Sequence, residues 1–138
     1  MDQTTFRPVI RTQSDVERLW RRLMSPLGFS SSSLWMVFIE SRRPLPQITE
    51  VENLPAAPDD TVADGLVRAL ENLATPHASL AFLRTRPGSG SPDACDLAWA
   101  RTLYAVGNRA QIELETIHLA HDHDVLPIPM DSVLSSPH

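Results

Sequence analysis

The chain has 138 residues, of which 42% are hydrophobic, and a formal charge of −5. That length suits a single domain over residues 1–138, able to bury roughly two-thirds of its unfolded surface without staples. The acidic balance argues against nucleic acid or an anionic membrane as a partner, since both need a basic face.

One cysteine, Cys95, excludes an intrachain disulfide. The opening MDQTTFRPVI carries an acid and no apolar core, so it does not read as a signal peptide. The longest apolar run, LWMVFI from Leu34 to Ile39, is far too short to span a bilayer. These features predict a cytoplasmic protein. All twelve basic residues are arginine, which fits the codon bias of a GC-rich genome.

Ser14-Asp15-Val16-Glu17 has the form of a capping box, and Val16, Leu19, Trp20, Leu23 and Met24 follow at helical spacing. A first helix is expected from Asp15 to Met24, ended by Pro26 and Gly28. Trp20 belongs to its apolar stripe, where it can fill the core or, if the helix is left uncovered, anchor an interface. LWMVFIES (Leu34–Ser41) reads as a strand buried on both faces, RRPLP as a turn, and QITEVENL (Gln47–Leu54) as an irregular second strand. Asp60 is a cap candidate for a second helix carrying Val62, Leu66, Val67, Leu70 and Leu73, stopped at Thr75-Pro76.

SLAFL (Ser79–Leu83) is a short strand. Ser91-Pro92-Asp93 then starts a third helix, with Ser91 as cap and Trp99, Ala100, Leu103, Val106 and Gly107 on one face, ending at Gly107-Asn108. IELETIHLA (Ile112–Ala120) alternates like a strand, His121–Asp124 is a turn, and VLPIP is a short strand that its prolines confine to an edge. Residues 1–12 and 132–138 are expected to be flexible tails. The order α-β-β-α-β-α-β-β predicts an α/β fold, a mixed β-sheet packed between helices. The first and third strands should lie inside the sheet, with Gln47–Leu54 and the proline strand at its edges.

The stretch FLRTRPGSGSPDACD (Phe82–Asp96) carries the most chemistry. Two arginines, Arg84 and Arg86, stand where a strand runs into a Gly/Ser/Pro loop. Asp96 lies three, four and seven residues before Trp99, Ala100 and Leu103, which puts its carboxylate on the inward face of the third helix. A carboxylate there needs a cation or several donors, and guanidinium binds carboxylate through two parallel bonds. The residues therefore predict a latch between Arg84 or Arg86 and Asp96 or Asp93. A rival reading is a small-anion site, with Gly88-Ser89-Gly90-Ser91 and the helix start supplying N–H groups and the two arginines supplying charge. Asp93 and Asp96 would repel such an anion.

HLAHDHD (His118, His121, Asp122, His123, Asp124) offers three imidazoles and two carboxylates in seven residues. It reads as an exposed turn, with a metal-dependent hydrolase as the alternative. Cys95, near the start of the third helix, is a weak candidate nucleophile because the neighbouring Asp93 and Asp96 oppose a thiolate.

The arginine stretch resembles the RadC-like branch of the MPN (JAB) metalloprotease-like fold, over roughly Ser14 to Val133. In that family an apolar strand leads into His-x-His-Pro, a Gly/Ser/Pro loop, and Pro-Ser-x-x-Asp opening a helix. This chain has Arg84-Thr85-Arg86-Pro87, then Gly88-Ser89-Gly90-Ser91, then Pro92-Asp93-Ala94-Cys95-Asp96. Glu115-Thr116-Ile117-His118-Leu119 stands where the family often has Asp-His before apolar residues. The resemblance implies a RadC/MPN-like sandwich. In the family, two histidines and the aspartate bind zinc and an upstream glutamate positions water. Here both histidine positions are arginine, which has no lone pair for a metal, the serine position is Asp93, and the glutamate position falls near Ser33 and Leu34. The interval from the second histidine position to the aspartate is also one residue shorter. Only Asp96 matches a ligand, and one carboxylate does not hold zinc. The resemblance thus implies a catalytically inactive, metal-free member without a cofactor, acting as a protein-interaction or scaffold module through a protein partner or self-association.

Overall fold

Thr12, not Ser14, caps the first helix in the computed structural model, which describes residues 9–73 and 78–134. Its hydroxyl accepts from the Asp15 amide and the Asp15 carboxylate accepts from the Thr12 amide, so the box sits two residues earlier than the Ser14–Glu17 pattern suggests. Serine, threonine and aspartate are interchangeable in this role, and the sequence offered two frames for it. Helix α1 (Gln13–Leu23) buries Val16, Leu19 and Trp20. Trp20 is fully buried, so it fills the core and anchors no interface.

Strand β1 (Ser33–Glu40) pairs antiparallel with β2 (Arg43–Glu52). The RRPLP segment is therefore not a turn: the turn is Ser41-Arg42, both with positive φ (54° and 66°), and the strand already begins at Arg43. Prolines are tolerated there because β2 is an edge strand whose register shifts opposite Val37–Ile39.

Asp59, rather than Asp60, supplies the cap of α2 (Asp60–Leu73), accepting from the Val62 amide at 2.8 Å. The proposed stop at Thr75-Pro76 lies outside the described residues. Strand β3 (Ala78–Thr85) is antiparallel to β1, with Leu34 opposite Arg84, and it runs two residues beyond its apolar core.

Helix α3 (Ala94–Ala110) is capped by Asp93, not Ser91, again through a reciprocal box in which Asp96 is the third helical residue. It does not stop at Gly107-Asn108 but at Gln111, whose φ of 59° makes the left-handed cap that glycine usually provides. Gly107 serves packing instead: a Cβ there would lie 2.6 Å from Leu114 Cγ. The expected Ile112–Ala120 strand is two pieces, β4 (Glu113–Leu114) and β5 (Ile117–Ala120), both parallel to β3. Strand β6 (Val125–Ile128) returns antiparallel to β5, and a short helix α4 (Met130–Leu134) follows.

The fold is α/β, with a six-stranded mixed sheet of order β2-β1-β3-β5-β6 among the described residues and β4 on β3. Alternation along β1 and β3 splits the core in two. Leu34, Met36, Leu80 and Phe82 join Leu70 of α2 and Trp99 and Leu103 of α3 on one face. Val37, Ile39, Ala81 and Leu83 join Leu19 and Trp20 of α1 on the other. Two segments expected as flexible tails are in part held. Ile10 is buried and its amide bonds to the Arg42 carbonyl, and Val133, within α4, is buried in the core. Residues 1–8 and 135–138 lie outside the described residues. No helix among those described is long and apolar enough to cross a membrane.

Candidate functional site

The parity of β3 decides where its two arginines go. Residues 80 and 82 face α2 and α3, so Arg84, and beyond the strand Arg86, point to the same side, over the first turn of α3. The Asp93–Asp96 cap box fixes Asp96 at the inward side of that turn. Arg84 Nε donates to Asp96 Oδ1 at 2.7 Å. Arg86 donates through Nε to Oδ1 at 2.9 Å and through Nη2 to Oδ2 at 2.8 Å. The Asp93 amide adds a bond to Oδ2 at 2.8 Å. The latch expected from the residue spacing is present, and it uses both arginines.

Asp96 is fully buried and Arg84 is 4% exposed. Burial alone would raise the carboxyl pKa of Asp96, but the bonds from Arg86 and Arg84 outweigh it and hold the pKa below the usual range. The same pairing raises the Arg86 pKa against the opposing effect of burial. Asp93 is the outer member, its carboxylate 4.0 Å from Arg86 Nε and half exposed. Arg86 Nη1 donates to the Pro87 carbonyl, while Arg84 Nη1 is buried without a partner.

The arginine loop and the histidine turn form one structure, and nothing in their spacing announces it. Parallel pairing of β3 with β5 carries both chains out of the sheet side by side. The Arg86 amide bonds to Ala120, the Asp122 amide to Gly88, and the Gly88 amide returns to Asp122 Oδ2 at 2.9 Å. The other oxygen of Asp122 accepts from the Phe29 amide, tying in the segment before β1. Gly88 and Gly90 have φ of 104° and 89°, which the loop needs to turn back toward α3.

His121 is buried, which corrects the expectation of an exposed turn. Its Nδ1 accepts from the amides of His123 and Asp124, at 3.1 and 3.2 Å, so the proton sits on Nε2 and is donated to the Gly90 carbonyl at 2.9 Å. Asp124 accepts from Arg21 of α1 at 2.6 Å. His118 faces the opposite side of the sheet, toward α1, and its Nδ1 bonds the Thr116 carbonyl. His118 and His121 are thus held by different partners, while His123 is exposed with its ring edge-on to that of His121. Among the described residues no group of three or more His, Cys, Asp or Glu side chains could hold a metal. Cys95 is half-buried on the first turn of α3, between the two capping aspartates.

No protein-family model matches the chain, and no curated protein matches it in sequence.

Proposed function

We propose that this chain is a metal-free relative of the RadC/MPN-like fold that works as a cytoplasmic protein-interaction or scaffold module and not as a hydrolase. The observation that carries the reading is the saturation of Asp96. Both of its oxygens are filled by two guanidinium groups and a backbone amide, leaving no lone pair for a metal or a reacting group. In the family it resembles, zinc would supply the positive charge at this corner. Here the arginines supply it and lock strand to helix.

Support also comes from the sheet, whose helices on both faces and strand–loop–helix corner agree with that kinship. The reading is tested by elemental analysis of protein purified without a tag. Substoichiometric zinc is the expected result. About one zinc per chain, lost in Asp96→Ala, would overturn it.

A second reading, a small-anion binder, is favoured by the buried and unpartnered Nη1 of Arg84. Against it, Asp93 and Asp96 offset the two arginine charges, and the Gly88 amide is already taken by Asp122. Binding of inorganic phosphate that Arg84→Gln abolishes would raise it above the first reading.

A further inference from the structure

Helix α1 does not cover the whole of its sheet face. Its first residue, Gln13, stands level with Thr116, whose hydroxyl bonds the Gln13 side-chain oxygen at 3.4 Å. From there the helix runs toward Asp124, which Arg21 reaches at the other end. The row of side chains beyond Thr116 therefore has no helix over it among the described residues. Strand register names that row: Ile39 of β1 pairs with Ser79 of β3, and Ser79 with Glu113 of β4. Ser79 shares the parity of Ala81 and Leu83, which face α1.

A cleft of about 420 Å³ opens over this row, at the opposite end of β3 from Arg84. Its floor is apolar, made by Ile10 and Ile39, both buried. Its walls are charged, and of opposite sign. The Ile10 amide donates to the Arg42 carbonyl at 2.6 Å, which sets Arg11 and Arg42 together on one wall. Glu113 and Glu115 form the other. Ser79 donates to Glu115 Oε2 at 2.6 Å and so holds that carboxylate on the cleft side of the sheet.

None of the four closes an ion pair. Among the described residues the side chains of Arg11, Arg42 and Glu113 have no charged partner, and Glu115 has only a hydroxyl. An unpaired surface charge means little by itself. Here four of them line one cavity, sorted by sign to opposite walls. Two arginines against two glutamates sum to zero, so neither a plain anion nor a plain cation matches the whole cleft. A molecule with an anionic and a cationic end matches both walls. Guanidinium gives a carboxylate two parallel bonds, and an ammonium has three protons for the glutamate oxygens. Spacing sets the length. Strands β1 and β4 flank β3, so they lie two strand spacings apart, about 10 Å, and long side chains reach inward from both. One amino-acid residue, about 3.5 Å long, does not span that gap, whereas two, about 7 Å long, do with the help of those side chains.

We propose that this cleft binds a zwitterionic dipeptide. Its carboxylate lies on Arg11 and Arg42, its ammonium on Glu113 and Glu115, and an aliphatic side chain over Ile10 and Ile39. The site is separate from the Asp96 corner. It goes beyond the scaffold reading and does not depend on it.

Titration of the dipeptide alanyl-leucine into the tag-free full chain, followed by amide NMR, tests this. Shifts should concentrate at Ile10, Arg42, Ser79 and Glu113 and saturate with a Kd of about 1 mM or tighter. N-acetylalanyl-leucine, which lacks the ammonium, and alanyl-leucine amide, which lacks the carboxylate, should each bind about tenfold more weakly or worse. Arg42→Gln and Glu113→Gln should each cost about tenfold as well, with unchanged circular dichroism because both side chains are exposed. No shift at these amides up to about 20 mM dipeptide overturns the proposal. So do blocked peptides that bind as well as the free one, or variants that bind like wild type. Acetate alone saturating the same amides equally tightly would make this an anion site, and ethylamine alone a cation site; either overturns the dipeptide. Zinc content reports on the Asp96 corner and leaves this titration unchanged.

Discussion

Arg86 grips Asp96 by one edge of its guanidinium, with Nε and Nη2 2.9 and 2.8 Å from different carboxylate oxygens. The pair joins the end of β3 to the first turn of α3 in a fully buried corner. Replacing such a pair by apolar residues can be neutral, but removing one partner strands a buried charge. Asp96→Ala should therefore cost about 3–5 kcal/mol in urea unfolding, since it strips Arg84 of its carboxylate and leaves Arg86 only the more distant Asp93 and Asp122. The acid limb follows from the same geometry. The folded pKa of Asp96 is lowered, so its contribution is present above the unfolded value of 3.8 and is lost as pH falls below that. Wild type should lose stability on that limb and Asp96→Ala should lose less. Equal acid limbs would show that the corner does not govern acid unfolding.

The loop between Arg86 and Ser91 has no strand to hold it and depends on the 121–124 turn. The Asp122 carboxyl pKa is lowered, first by the Gly88 amide and then by the Phe29 amide. Asp122→Ala should speed hydrogen exchange at Gly88 and Phe29 together, although the two are far apart in sequence. His121 should show its proton on Nε2 in nitrogen NMR, and His121→Ala should make the 88–91 loop a site of protease cleavage. Unchanged exchange at either amide would show that the turn does not brace the loop.

The latch was legible because one principle sufficed: an inward carboxylate needs a cation, and two arginines stood within reach. The union of the two clusters was not, because it depends on β3 and β5 being parallel neighbours, a relation with no local signature. The caps shifted by one or two residues for a simpler reason, as Ser14, Asp60 and Ser91 each lay beside a residue equally able to cap. Gly107 is the instructive miss. Read as a helix stop, it lies inside α3 against Leu114, and the stop is Gln111. Gly107→Ala should gain ~1 kcal/mol of helix propensity yet lose more to overpacking, typically about 1–3 kcal/mol, for a net destabilisation in chemical denaturation. A stabilised variant would mean that Leu114 yields freely.

Tyr104 spans the helix and the sheet. Its hydroxyl donates to the Ile128 carbonyl at 2.8 Å and accepts from the Ile117 amide at 3.0 Å. Burial raises its pKa, and the Ile117 bond offsets that in part. Tyr104→Phe keeps the ring but leaves a donor and an acceptor unpaired in the core, each costing about 1–3 kcal/mol. The loss should appear as a lower unfolding midpoint with faster exchange at the Ile117 amide. A midpoint equal to wild type would indicate that water replaces the hydroxyl.

His118 sets the other pH limb. It is fully buried between β5 and α1, with Nδ1 on the Thr116 carbonyl and Nε2 without a partner. Burial pushes its pKa below 6.5. The Thr116 carbonyl and Glu17 act in the opposite direction, and Arg21 acts with burial. Arg21 is itself engaged by Glu17 and Asp124, so the charges facing His118 are a paired set that offers it no free anion. The sign follows by linkage. Above pH 6.5 the imidazole is neutral in both states and contributes no slope. Below it, the unfolded chain takes up a proton that the folded chain refuses, so stability falls as pH drops toward the lowered folded pKa. Wild type should therefore lose stability between pH 7 and 5, whereas His118→Leu, which removes both the titration and the orphaned nitrogen, should show a flatter profile. Melting temperatures for both proteins across that range provide the check. Parallel profiles would mean that His118 protonates without resistance inside the fold, and that the gap around its Nε2 admits water.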